Sequence, residues 1–147
     1  MKFSTRIDRQ VAATELFDAL ADFDRLERML LRRGVAVTPV NDISIGARVW
    51  NLAFDWRGQR RELQLALVQF DRPERLGLTG VSTPFDLRLD LSVIAMSRQK
   101  TRLIFELDVR PRNMRARLAL QTAKLGKGQL DRKIAKKVKA FVDDVLS

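Results

Sequence analysis

The sequence contains no histidine, cysteine or tyrosine. The usual general base near neutral pH, the thiolate nucleophile and the common transition-metal ligands are therefore missing together. Any chemistry would rest on Asp, Glu, Lys, Arg or a hydroxyl. The densest group of such residues is Asp86, Arg88 and Asp90, three charges at period two in "FDLRLDLSV". They alternate with Phe85, Leu87, Leu89, Leu91 and Val93, which puts them on the wet side of a half-buried strand, where opposite charges pair with each other. Glu106 and Asp108 alternate in the same way with Leu103, Phe105 and Leu107, and Asn51 and Asp55 oppose the more apolar Trp50 face. "KLGKG" at 124–128 follows a helical run, whereas a phosphate loop would follow a strand. No catalytic residue, metal or cofactor is expected.

Charge is the positive signal. Between Arg110 and Lys139 eleven basic residues face the single acid Asp131, so this stretch carries the whole net charge of +10. Such asymmetry marks a surface for anionic lipid, nucleic acid or an acidic partner. The patch comprises Arg115, Arg117, Lys124, Arg132, Lys133, Lys136, Lys137 and Lys139. Its one aromatic, Phe141, falls on the apolar side, and no nucleic-acid motif is present, so nucleic acid is disfavoured against an anionic membrane surface. A solvated helix that only aids solubility is the plain alternative.

These residues need elements to hold them. Lys2–Asp8 alternates as a short first strand, and Leu16, Phe17, Leu20, Phe23, Leu26, Met29 and Leu30 then recur at helical steps. Thr14 is the expected N-cap, Asp22–Asp24 can divide the run into two short helices, and Gly34 ends it. Val35–Val40 reads as strand and "NDISIG" as loop. Strands follow over 48–56, 61–70, 76–82, 85–93 and 103–109, separated by "RGQ", "DRPER", "TP" and "SRQK" and stopped by Pro111.

From Asn113 the period is helical to the end, about 50 Å of helix at 1.5 Å per residue. One stripe runs Ala116, Leu120, Ala123, Lys127, Leu130, Ile134, Val138, Phe141, Val145, and a second stripe, Met114, Leu118, Thr122 and Leu125, exists only before Gly126 and Gly128. Burial on two sides is expected there and on one side afterwards, with a kink or close sheet approach at the glycines. The chain of 147 residues is expected to form one domain, 1–147, and a charged N-terminal stretch with no apolar run of spanning length predicts a cytoplasmic protein.

The order of strand, two short helices, meander strands and one long helix, with "VAATELFDALADFDRLERML", "IGARVWNLAFDWRGQRRELQLALVQFDRPERL" and "LALQTAKLGKGQLDRKI", resembles the START-like (SRPBCC) superfamily. Its relatives include birch-pollen-allergen proteins, polyketide cyclases and lipid-transfer domains. The resemblance implies an α+β helix-grip fold, a curved antiparallel sheet of six to seven strands around the C-terminal helix, with an apolar cavity between them. The lining then expected is Trp50, Leu52 and Phe54, Leu65 and Leu67, Phe85, Leu87 and Leu89, and Leu103, Phe105 and Leu107. Leu118, Leu120, Leu125 and Ile134 of the helix would close it.

The implied function is non-catalytic binding, transport or sensing of a hydrophobic small molecule or lipid. A cyclase- or dehydratase-like enzyme using a cavity carboxylate is the alternative, and docking of the basic helix to an anionic membrane or nucleic acid a further one. Lys127, the one charge on the buried stripe, is either a snorkelling side chain or a polar contact at the cavity mouth. Oligomeric state is not legible at this level.

Overall fold

A computed structural model describes residues 1–40 and 48–147. "NDISIG", read as a loop, lies outside the described residues. The elements run β1 (Lys2–Arg9), α1 (Ala13–Leu20), α2 (Phe23–Arg32), β2 (Ala36–Val40), β3 (Val49–Trp56), β4 (Gln59–Asp71), β5 (Arg75–Val81), β6 (Phe85–Ser97), β7 (Lys100–Pro111), α3 (Met114–Lys124) and α4 (Lys127–Leu146). All seven strands form one antiparallel sheet in the order β1-β7-β6-β5-β4-β3-β2.

Local chemistry accounts for the turns. Arg57 and Gly58, both at positive φ (52° and 71°), join β3 to β4. Positive φ at both central positions is what a two-residue hairpin matched to strand twist requires. Arg57 tolerates it with its guanidinium stacked 4.6 Å over the Trp56 ring. Asp22 caps α2 by accepting from Arg25 N at 3.2 Å, and Gly34 at φ 83° ends that helix. Thr14 is not the cap of α1; Ala12 occupies that position without a side-chain hydrogen bond, and Thr14 lies inside the helix.

Antiparallel partners share a face, so the register sorts the sheet. Ile7 pairs with Leu103, Leu103 with Val93, Leu76 with Leu91, Leu67 with Leu78 and Trp50 with Leu65, and these define one inner, apolar face. Irregularities at Leu67/Gln69 and Ala95/Ser97 add local bend and twist to β4 and β6. Leu16 and Phe17 of α1 and Val142 of α4 are wholly buried against this face with Leu103 and Leu76. Each buried side chain of this size contributes about 1.5–3 kcal/mol.

The expected single C-terminal helix is two. The Leu125 and Gly126 N–H groups donate to Thr122 O (3.2 Å) and Ala123 O (3.0 Å), tightening the end of α3, and Gly126 at φ −111°, ψ 25° becomes the N-cap of α4. The glycines make no close approach to the sheet. A Cβ on Gly126 would meet only Ala123 O, and one on Gly128 only Arg132 Nη1, each at 4.0 Å. Crowding therefore does not cause the interruption; two glycines close together weaken the helix there, each by roughly 1 kcal/mol relative to Ala in a helix interior. Two-sided burial of α3 also fails: only Ala116 is fully buried. α3 packs on β7, while α4 packs on β1 and α1 at one edge of the sheet.

Candidate functional site

With α4 held at the β1 edge, the inner face of β2–β5 needs another cover, and α2 supplies it. Between them lies an apolar cavity of about 230 Å³. Phe23, Leu26, Met29 and Leu30 face it from α2, at the three- and four-residue steps of one helical side. Val37, Trp50, Leu52, Leu65, Leu76, Leu78, Leu89 and Leu91 form the sheet wall, and Leu20 and Phe141 complete the lining from α1 and α4. Among the described residues the only charged lining groups are Glu27 and Arg33.

α2 has no fully buried residue; Phe23, Leu26 and Met29 are half-buried against the core, and polar straps add to their hold. Trp50 Nε1 donates to Glu27 Oε1 at 2.7 Å, and Arg48 pairs with Asp24 at 3.1 Å while stacking over Phe23 and Trp50. On the other side Arg25 donates to the Val145, Asp144 and Ser147 carbonyls at 2.7, 3.0 and 3.0 Å. These are the orphan acceptors of the α4 C-terminus, where a cation also suits the helix dipole. Arg33 adds an ion pair to Asp144 at 2.6 Å.

The arrangement can strip water from a hydrophobic body and hold it against aromatic and aliphatic walls. Its acid–base inventory is one carboxylate, Glu27, with one oxygen already accepting from the Trp50 indole. The shifted ionisable groups lie elsewhere, in exposed ion pairs. Hydrogen bonds from Arg72 hold the Asp18 carboxyl below its ordinary value, those from Arg102 do the same for Asp8, and the Arg88 guanidinium is raised by its bonds to Asp90. No cluster of carboxylates suited to a metal ion occurs among the described residues. A larger hollow, about 520 Å³, lies on the opposite sheet face by Asn51, Glu62, Gln64 and Arg112. Some of its polar groups bond to one another or to backbone, Gln64 to Asn51 at 3.1 Å and Arg112 to Ser82 O at 2.6 Å.

Of the lining expected from the sequence, Trp50, Leu52, Leu65 and Leu89 face the cavity. Leu67, Leu103, Phe105 and Ile134 belong to the packed core beside it. Phe54, Phe85, Leu87 and Leu107 are half-buried further along the same sheet face, and Leu120 is half-buried on α3. Leu118 and Leu125 close nothing, because they point away from the sheet and are exposed. Lys127 lies outside the cavity lining. Its Nζ reaches Asp131 at 2.9 Å and sits 5.2 Å from the centre of the Phe3 ring, the snorkelling arrangement. Asp86, Arg88 and Asp90 lie on the outer face, where Arg88 binds Asp90 at 2.8 Å and Arg112 approaches Asp86 at 3.6 Å.

Sequence reasoning missed the α2 wall. Its signal was present in Phe23, Leu26, Met29 and Leu30, but helical periodicity marks a covered face without saying whether the cover is tight.

No family model and no curated protein matches the chain. Solved structures do. The Zhui aromatase/cyclase from Streptomyces sp. R1128 superposes with a TM-score of 0.69 at 13% identity, covering 99% of this chain and 93% of that one. Ara h 8.0201 gives 0.60 at 12% identity, covering 98% of each, and a START superfamily protein from Mycobacterium smegmatis gives 0.55 at 15%, covering 92% and 97%. At such identities the likeness is one of backbone architecture, and with seven antiparallel strands, two short helices after the first and a long C-terminal helix, this chain has the START-like helix-grip fold.

Proposed function

We propose that the chain is a single helix-grip domain that binds a hydrophobic small molecule or lipid without transforming it, in the cytoplasm. The observation that carries this reading is the cavity under α2, whose described lining is apolar apart from Glu27 and Arg33. Its 230 Å³ equals about eight times the ~30 Å³ share of a liquid water, below the ~300–1,000 Å³ of common ligand sites. A small ring system fits the space as it stands; a longer chain requires α2 to lift on its polar straps. A neighbour of the same fold that is an aromatase/cyclase is in keeping with a small-molecule ligand, and no helix among the described residues is long and apolar enough to cross a membrane.

The test uses the cavity's own reporter. In Trp56→Phe the remaining tryptophan is Trp50, in the cavity wall. Titration with N-phenyl-1-naphthylamine should quench it saturably, and Leu78→Trp, which fills the cavity, should abolish probe uptake. An absence of saturable binding, together with native mass spectra of gently purified protein showing no bound apolar species, would refute the reading.

A second reading rests on Glu27, whose carboxylate stands in the cavity wall. As a general base it would serve a cyclisation or dehydration of a β-dicarbonyl compound. Turnover of such a compound by the parent chain and its loss in Glu27→Gln, with probe binding retained, would favour this reading over simple carriage.

A further inference from the structure

The outward face of α3 and α4 is covered by no other element among the described residues. On α3, Ala116 and Ala123 face β7, and the opposite side presents Met114, Leu118 and Leu125, which are 65%, 56% and 90% exposed. Arg115 flanks this apolar strip on one side and Arg117 and Lys124 on the other, at 100° per residue. On α4 the side opposite Val138, Val142 and Val145 carries Arg132, Lys133, Lys136, Lys137 and Lys139. These eight bases are all exposed, and none forms an ion pair among the described residues. The acids nearby are engaged elsewhere: Asp131 with Lys127, Asp143 with Arg9, Asp144 with Arg33. α4 begins at Lys127, directly after the Gly126 cap, so its bases follow closely in the chain on the α3 strip.

We infer that this strip docks the protein onto an anionic lipid bilayer. The apolar residues enter the headgroup boundary while the flanking bases reach lipid phosphates and carboxylates. Complementarity selects this occupant. A surplus of cations beside an aliphatic strip on α3 matches a surface that is negative outside and apolar beneath. Nucleic acid would meet the bases but set phosphates against Met114, Leu118 and Leu125, with no aromatic residue on the strip to stack on bases. A second copy across a two-fold axis would set the same cations against each other.

The experiment is co-sedimentation of the full chain with phosphatidylcholine vesicles and with vesicles containing about 30 mol% phosphatidylserine, from roughly 50 to 500 mM salt. Binding is expected only to the anionic vesicles, and it should fall as salt rises. Lys133→Glu with Lys136→Glu should weaken it more than tenfold, since each surface base contributes about fivefold. Leu118→Ser with Leu125→Ser should weaken it severalfold while leaving duplex DNA binding and thermal stability unchanged.

Failure to bind anionic vesicles at low salt overturns the inference. So does a leucine pair variant that binds vesicles like the parent chain, which would make the strip a general polyanion surface. A dimer in sedimentation velocity that the same variant dissociates would assign the strip to a second copy instead. The cavity-filled Leu78→Trp protein should partition like the parent, so this result stands or falls separately from the binding role of the cavity.

Discussion

The inner face of the sheet is covered in two different ways. Across β1, β7 and β6 it meets α1 and α4, and Leu16, Phe17, Leu103 and Val142 are sealed to 1% exposure or less. Across β2 to β5 it meets α2, which contributes no fully buried residue and leaves 230 Å³ open. The same alternation of Leu, Val and Phe therefore yields a close-packed core on one side and a cavity on the other. What differs is the fastening: fully buried apolar side chains hold α1, whereas α2 combines half-buried apolar contacts with arginine hydrogen bonds and one indole–carboxylate bond. Close packing and open space thus fall in different halves of one face.

The largest test of that division is a pair of truncations. Leu103→Ala should cost about 2–5 kcal/mol in urea unfolding, because neighbours close on every side of it. Leu78→Ala, already beside empty space, should cost clearly less, about 1–2 kcal/mol, and equal losses would remove the distinction between the halves.

Next in size is the strap. Arg25→Ala deletes three hydrogen bonds from a charged donor to the α4 carbonyls and should cost about 1.5–3 kcal/mol. Hydrogen exchange should then quicken in α2 and the last turn of α4 before it does in α1, and probe release from the cavity should accelerate. Uniform quickening would show that α2 is not a separately fastened cover.

Smaller still, Gly128→Ala should raise stability by about 0.4–1 kcal/mol. The site is helical with open space for a Cβ, and the substitution narrows the unfolded ensemble. A loss at this position would mean that the α3–α4 junction needs glycine.

The smallest effect is electrostatic. Asp18 on α1 accepts two 2.8 Å bonds from Arg72 beside β5, and its folded-state pKa lies below the ordinary 3.8. A depressed carboxylate contributes stability in full well above 3.8 and loses it as pH falls through the lower folded value. Asp18→Asn should therefore flatten the acid limb of the stability curve below about pH 4, and salt should reduce the difference because the pair is exposed.

Much of the fold was legible. Period-two runs such as Phe85 to Val93 located the strands, "RGQ" located the β3–β4 turn, and Asn113 was the right start for the last helical segment, accepting from Ala116 N at 2.8 Å. The C-terminal stripe was legible as a pattern and misread as burial. Projection placed Met114, Leu118 and Leu125 on one side of a helix, but whether anything covers that side depends on where the sheet lies. The cavity wall shows the same dependence. Alternation names the inner face, on which Trp50, Leu52, Leu65 and Leu89 line the cavity, while Leu103 and Phe105 satisfy the same alternation and lie in or against the packed core.

The sequence by itself determined the element order as far as Pro111, the sheet face of nearly every strand residue, the absence of thiol and imidazole chemistry, and the concentration of positive charge from Arg110 onward. Those properties follow from residue type and spacing, which act within a turn or a strand. Tertiary structure alone decided which helix covers which strands, that Lys127 meets Phe3 and Asp131 and not a ligand space, and that α3 turns leucines to solvent beside unpaired bases. Such outcomes depend on groups far apart in the chain, Arg25 with Ser147 or Trp50 with Glu27, and local period carries no information about distances that only closure of the sheet sets.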